Sequence, residues 1–140
     1  MLAMRVLVLC TGNRCRSQMA EGWLRRLAPD WTVRSAGINP ASEVHPLAKQ
    51  VMKEIGISID EAFPKSVEQF MEESWDYVIT VCGNAEKTCP SFNGHVGNHL
   101  HIGFDDPDAI TGSDDMIEGE FRRVRDEIGK AMTIFVKERI

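Results

Sequence analysis

Apolar residues recur along this chain in two alternating rhythms. Met4–Cys10 (M-R-V-L-V-L-C) is a short run rich in Val and Leu, the signature of a strand buried on both faces. T-G-N-R follows as a turn-prone stretch, and then Met19, Trp23 and Leu27 fall four apart beside Ala20 and Leu24, one apolar helix face. Trp31–Ala36 reads as a second strand, ended by Gly37 and Pro40. His45-Pro46 opens a second helix with Pro46 suited to its first position; Leu47, Val51 and Ile55 share a face, and Gly56 is the stop. Val67–Glu72 predicts a short helix, and Tyr77–Val81 (Y-V-I-T-V) is the clearest strand by β-branched content. A weaker fourth strand is expected near Leu100–Ile102. The last segment is a long amphipathic helix carrying Ile117, Phe121, Val124, Ile128, Met132 and Phe135, whose charged face (Glu118, Arg122, Arg123, Arg125, Asp126) is expected to be solvated.

Strands alternating with helices imply an α/β fold, a parallel sheet with helices on both faces and right-handed crossovers. Ligands of such sheets bind at the carboxyl ends of the strands. Cys10 ends the first strand, Cys82 follows the third, and Asp105 and Asp106 follow the fourth. All of these fall on one edge.

The length, 140 residues, fits one domain spanning 1–140, large enough to bury a core without staples. The net charge of −5 and the lack of a basic stripe argue against nucleic acid as a partner. An anionic substrate would need a local positive site. No stretch is apolar enough to span a bilayer, so no membrane association is expected. The apolar start, Met1 to Cys10, is short, carries Arg5 and lacks a signal-peptide cleavage pattern, so it reads as a buried strand in a cytoplasmic, reducing setting. Four cysteines there point to reactivity or metal binding rather than to a disulfide framework.

Cys10 and Arg16 are separated by five residues between a buried strand and a helix start. Backbone N–H groups of such a turn and helix N-terminus converge on one concavity, an anion site. Thr11-Gly12-Asn13-Arg14-Cys15-Arg16-Ser17 is therefore the expected substrate-binding segment. Gly12 permits unusual backbone angles, and Arg16 offers a planar fork to a tetrahedral oxyanion. A cysteine in that field is expected to be held as thiolate, with Ser17 donating to it and Asn13 bracing the loop. The competing reading is a structural cysteine before an ordinary turn. Cys15 reads as a buried loop residue without a chemical role.

Cys82 and Cys89 enclose six residues that begin Gly83-Asn84, a segment expected to be mobile or marginally helical. Three readings are open: a redox pair, two structural thiols, or a zinc site with His95 and His99. Structural zinc pairs usually carry two to four residues between cysteines, which places zinc last. Gly103-Phe104-Asp105-Asp106-Pro107 is a turn with paired carboxylates, either of which could protonate a leaving oxygen. Alone, it would be an Asp-rich turn.

C-T-G-N-R-C-R-S-Q-M-A-E-G-W (Cys10 to Trp23) resembles the active-site segment of thioredoxin-coupled arsenate reductases, relatives of the low-molecular-weight protein tyrosine phosphatases. The likeness continues through S-A-G (Ser35–Gly37), V-C-G-N-A-E-K-T-C-P (Val81–Pro90), G-F-D-D-P (Gly103–Pro107) and F-R-R-V-R-D-E-I (Phe121–Ile128), nearly the whole chain in order. It implies a flavodoxin-like sheet of four parallel strands and arsenate as substrate. It also implies Cys10 as nucleophile, Cys82 and Cys89 as the redox pair, Asp106 as general acid with Asp105 in reserve, and thioredoxin as reductant. No cofactor is implied, and a monomer is expected. The phosphatases usually place an aromatic residue after Asp-Pro; Asp108 stands there here, which argues against an aryl phosphate substrate. Some relatives hold potassium with positions matching Asn13, Glu21 and Ser35 and with a later loop. Phe63 and Lys65 are nearest to that loop here, and Lys65 would repel a cation, so no metal dependence is expected. The remaining alternatives are a phosphatase of the same fold and a non-enzymatic arsenite- or zinc-binding protein.

Overall fold

A computed structural model describes residues 3–140 of the chain. Met1 and Leu2, part of the apolar start, lie outside the described residues. The first strand, β1 (Arg5–Cys10), is followed by α1 (Arg16–Leu27), β2 (Thr32–Gly37) and α2 (Pro46–Glu54). After a 3₁₀ turn at Val67–Phe70 come β3 (Trp75–Thr80), α3 (Gly83–Thr88) and β4 (Val96–His101). A second 3₁₀ turn at Pro107–Ala109 leads into α4 (Asp114–Lys137). The four strands are all parallel, in the order β2-β1-β3-β4. This is the four-stranded α/β architecture expected from the alternation.

Val6, Leu7, Val8 and Leu9 are all fully buried. Successive strand residues face opposite sides, so β1 is covered on both faces. β1 sits between β2 and β3, with Cys10 opposite Gly37 and Leu9 opposite both Ala36 and Thr80. The chain winds outward from β1 to β2, then returns past β1 to β3. Strand order therefore reverses between β1 and β3, the place where such sheets bind ligands. The loops after β1 and β3 carry Cys10 and Cys82.

Element boundaries shift by one or two residues from the expected ones, except at β4. That strand starts at Val96, well before the expected Leu100, because Gly97, Asn98 and His99 are exposed edge residues with no apolar alternation to betray them. The α4 face is as expected: Phe121, Val124, Ile128, Met132 and Phe135 are buried. Ser113 caps the helix by accepting from the Met116 N–H at 3.3 Å, and Asp114 and Asp115 complement the positive end of its dipole. α4 lies close against α1, where a side chain at Gly129 would come within 2.4 Å of the Trp23 ring. Arg125 departs from the solvated face. It is buried, and its guanidinium donates to the Val51 carbonyl at 2.9 Å and to Glu54 at 3.0 Å, joining α4 to α2.

Candidate active site

The segment between β1 and α1 closes tightly around the Cys10 sulfur. The Asn13 N–H donates to Sγ at 3.1 Å, and Ser17 Oγ lies 2.9 Å away. Asn13 is fully buried with φ of 53°, a left-handed conformation that Asn tolerates better than most residues. Its carboxamide makes its full set of bonds. Nδ2 donates to Ser17 Oγ at 2.7 Å and to Ser35 Oγ at 3.0 Å. Oδ1 accepts from Gln18 Nε2 at 3.0 Å and from the Lys65 N–H at 3.0 Å. Ser35 in turn donates to Glu21 at 2.6 Å. Ser17 Oγ is thus already an acceptor, and its own proton is free for the sulfur.

The loop rests on β2. Gly37, the partner of Cys10, leaves no room for a side chain: a Cβ there would stand 2.7 Å from the Thr11 carbonyl oxygen. Downstream of it, the Asn39 and Ala41 N–H groups donate to the Thr11 and Gly12 carbonyls at 2.8 and 2.9 Å. Carbonyls of the loop are therefore held outward. No side chain caps the amino end of α1 at Cys15, which leaves the first-turn N–H groups without a side-chain cap.

Arg16 is mostly buried; its guanidinium donates to the Phe104 carbonyl at 3.1 Å and stands 3.6 Å from Asp106 Oδ2. The loop after β4 is thereby brought over the loop after β1. Asp106 Oδ1 accepts from the Asp108 N–H at 3.0 Å, capping the 3₁₀ turn. Asp105 points elsewhere, to Arg123 at 3.0 Å. Of the two carboxyls, Asp106 is the one near Arg16 and the loop after β1. Arg14, expected in the binding segment, directs its side chain to Asp108.

On the other side, Thr11 Oγ1 lies 3.4 Å from Cys82 Sγ and accepts from Asn84 Nδ2 at 2.9 Å. The residue next to Cys10 therefore touches the second cysteine. Cys82 is buried, caps α3 by accepting from the Ala85 N–H at 3.4 Å, and Cys89 ends the same helix, partly exposed. All four thiols are free. Burial pushes the Cys89 thiol up, and it pushes Cys15 up much further, with the Asp108 and Asp106 charges adding to the effect.

A family model described as low molecular weight phosphotyrosine protein phosphatase matches residues 5–139. The chain belongs to this family. Within the family, the arsenate reductase of Halalkalibacterium halodurans is 47% identical over 130 residues, 92% of either chain. Among solved structures, an arsenate reductase in its oxidized state superposes with a TM-score of 0.81 at 29% identity, covering 96% of this chain and 98% of that one. A thioredoxin-dependent arsenate reductase of Corynebacterium glutamicum matches with a TM-score of 0.60 at 32% identity over 94% of this chain and 63% of its own.

This family member brings together Cys10, the Thr11–Ser17 segment, Arg16, Asp106 and Cys82, with Cys89 one helix away. Sequence reasoning missed Gln18 as a supporting side chain, the contact of Thr11 with Cys82, and the pairing of Arg14 with Asp108. Only Gln18 left a trace, as a polar residue placed one position before the buried Met19. A cleft of about 920 Å³ is lined by Glu21, Arg25, Arg34 and Lys65 but by none of the cysteines. The Lys65 ammonium donates to the Phe63 carbonyl at 3.0 Å. Among the described residues, no group of three His, Cys, Asp or Glu side chains could hold a metal, and no helix is long and apolar enough to cross a membrane.

Proposed function

We propose that this protein is an arsenate reductase working by a three-cysteine relay, with thioredoxin as reductant. The observation that carries it is the position of Cys82 against Thr11, beside the nucleophile's own loop. Arsenate binds to the backbone N–H groups of Thr11–Ser17 and to the Arg16 fork. Asn13 and Ser17 stabilise the negative sulfur of Cys10, which attacks arsenic while Asp106 protonates the departing oxygen, released as water. Cys82 then attacks the Cys10 sulfur. The sulfur–sulfur bond forms as the sulfur–arsenic bond breaks, its electron pair stays on arsenic, and arsenite leaves. Cys89 attacks Cys82 and frees the Cys10 thiolate. A thioredoxin dithiol reduces the Cys82–Cys89 disulfide and is itself oxidised. The protein residues suffice for these steps with no bound cofactor. The role fits arsenic detoxification, and free thiols fit a reducing cytoplasm.

The loop, Arg16 and Asp106 would also serve phosphate ester hydrolysis, which needs neither Cys82 nor Cys89. An arsenate-dependent assay coupled to thioredoxin and its NADPH-linked reductase separates the two. Cys10→Ser should abolish arsenate reduction and any aryl phosphate hydrolysis. Cys82→Ser should abolish reduction and retain slow hydrolysis. Near-normal reduction by Cys10→Ser would defeat the mechanism at its first step, and equal loss of both activities in Cys82→Ser would make Cys82 structural.

A further inference from the structure

Three segments meet at one carboxylate. Asp108, two residues beyond Asp106, pairs through Oδ2 with the Arg14 guanidinium of the anion loop. His45 Nε2 approaches Asp108 Oδ1 at 3.3 Å. The His45 tautomer is fixed by its other nitrogen, because Nδ1 accepts from the Leu47 N–H at 3.0 Å as the cap of α2. The neutral ring then has its single proton on Nε2, aimed at Asp108. The His45 backbone N–H also donates to the Arg14 carbonyl at 3.1 Å, so cap and loop are joined twice. His45 lies against Phe121 of α4, ring centroids 4.6 Å apart, which anchors the cluster to the core.

This cluster occupies a defined place. Asp106 stands 3.6 Å from Arg16, so an oxygen that it protonated would lie between the loop after β1 and the loop after β4. Arg14 and Asp108 belong to those same two loops and bridge them. Their side chains are only about a third exposed, 31% and 35%, and Asp108 is held from two directions, so the bridge is better fixed than an isolated surface pair. A departing water passes such a gap; a ring on the departing oxygen needs it open.

We infer that the Arg14–Asp108–His45 cluster is a specificity latch, which narrows the approach to Cys10 so that free inorganic oxyanions are admitted and aryl-substituted ones are disfavoured. Resting on the reading of the Cys10–Ser17 loop as the anion site, this inference adds residues that the relay does not use. The latch acts by steric exclusion, and charge alone predicts something different. Arg14→Ala removes a positive charge beside the anion site and Asp108→Ala removes a negative one. A purely electrostatic role would therefore shift the affinity for every oxyanion in opposite directions in the two variants. A steric latch opens in both.

Calorimetric titration with inorganic phosphate and with phenylphosphonate distinguishes these cases without relying on turnover. In both Arg14→Ala and Asp108→Ala, affinity for phenylphosphonate relative to phosphate should rise about tenfold over the unaltered protein. Asp108→Ser, whose side chain is too short to span to Arg14, should do likewise and serves if the alanine variant does not fold. A ratio that stays constant, with both probes moving together, overturns the latch. Binding of neither probe to the unaltered protein overturns the anion site and the latch with it. Phosphate binding without arsenate reduction would defeat the proposed reductase while leaving the latch to be decided by the ratio.

Discussion

Cys82 and Cys89 stand at opposite ends of one helix, the first capping α3 and the second ending it. Seven helical steps separate their Cα atoms by about 10 Å. A disulfide tolerates at most roughly 7 Å. The bond and the helix are therefore incompatible, and oxidation must unwind α3 and release the Ala85 N–H from the Cys82 sulfur. Oxidised protein should show a Cys82–Cys89 peptide link on non-reducing digestion, with faster amide exchange and cleavage around Asn84–Lys87. Retention of α3 protection in the linked form would contradict this.

Asn13 satisfies four neighbours at once, so its loss is costly. Asn13→Ala leaves Ser17, Ser35 and the Lys65 N–H short of a partner inside the protein, while Gln18 keeps two backbone carbonyls, and it places Ala at a positive φ. Stability should fall by about 1–3 kcal/mol in urea titration. Alkylation of Cys10 by iodoacetamide should change as well, because Ser17 is no longer held with its proton toward the sulfur. An unchanged rate would mean that the carboxamide only supports the fold.

The strand-to-helix loop that closes around Cys10 was legible because its residues lie within eight consecutive positions, Cys10 to Ser17. Convergence of Cys10, Cys82 and Asp106 followed from topology, since parallel strands place their following loops on one edge. Arg14 and Asp108 were each singled out in the sequence, one in the loop and one after Asp-Pro, but their pairing was illegible because they are 94 positions apart. The burial of Arg125 was hidden likewise, because its Val51 and Glu54 partners lie on another helix. Only the polar first part of β4, before Leu100, escaped, because an exposed edge strand needs no apolar face.

Two glycines give paired tests of overpacking. Gly37→Ala drives a methyl toward the Thr11 carbonyl oxygen at 2.7 Å, and Gly129→Ala drives one into the Trp23 ring at 2.4 Å. Each should cost about 1–3 kcal/mol. Only Gly37→Ala displaces the anion loop, so only it should weaken phosphate binding at a temperature where both variants remain folded. Equal weakening would mean that the loop is not rigidly seated on β2.

Protonation of His45 is disfavoured in the fold, chiefly by burial and then by Arg14, while Asp108, Glu43 and Asp106 oppose that effect. The unfolded chain, with an ordinary histidine value of 6.5, takes up the proton first. Stability therefore falls as pH drops below that value, where the unfolded state binds more protons. Protonated Nδ1 also cannot accept from Leu47, which uncaps α2. His45→Asn keeps a capping acceptor without titrating. It should flatten the change in urea midpoint between about pH 7.5 and pH 5.5. A slope as steep as in the unaltered protein would place the titrating group elsewhere.

Cys15 is the thiol expected to stay silent. It is 4% exposed, and burial together with the carboxylates of Asp108 and Asp106 keeps its proton on. A protonated, enclosed sulfur is neither nucleophile nor easy target. Cys89 is also held protonated by burial but reaches the surface in part, so it meets reagents that Cys15 does not. Timed alkylation followed by peptide mass spectrometry should therefore modify Cys15 last among the four cysteines, and only as the protein unfolds. The same logic fixes the outcome of oxidation by substrate. After arsenate treatment without reductant, Cys15→Ser should still yield the Cys82–Cys89 link, because no step of the relay passes through position 15. A disulfide between Cys10 and Cys15 as the sole product in the unaltered protein would move the electrons along a different path and exclude Cys82 as the second thiol.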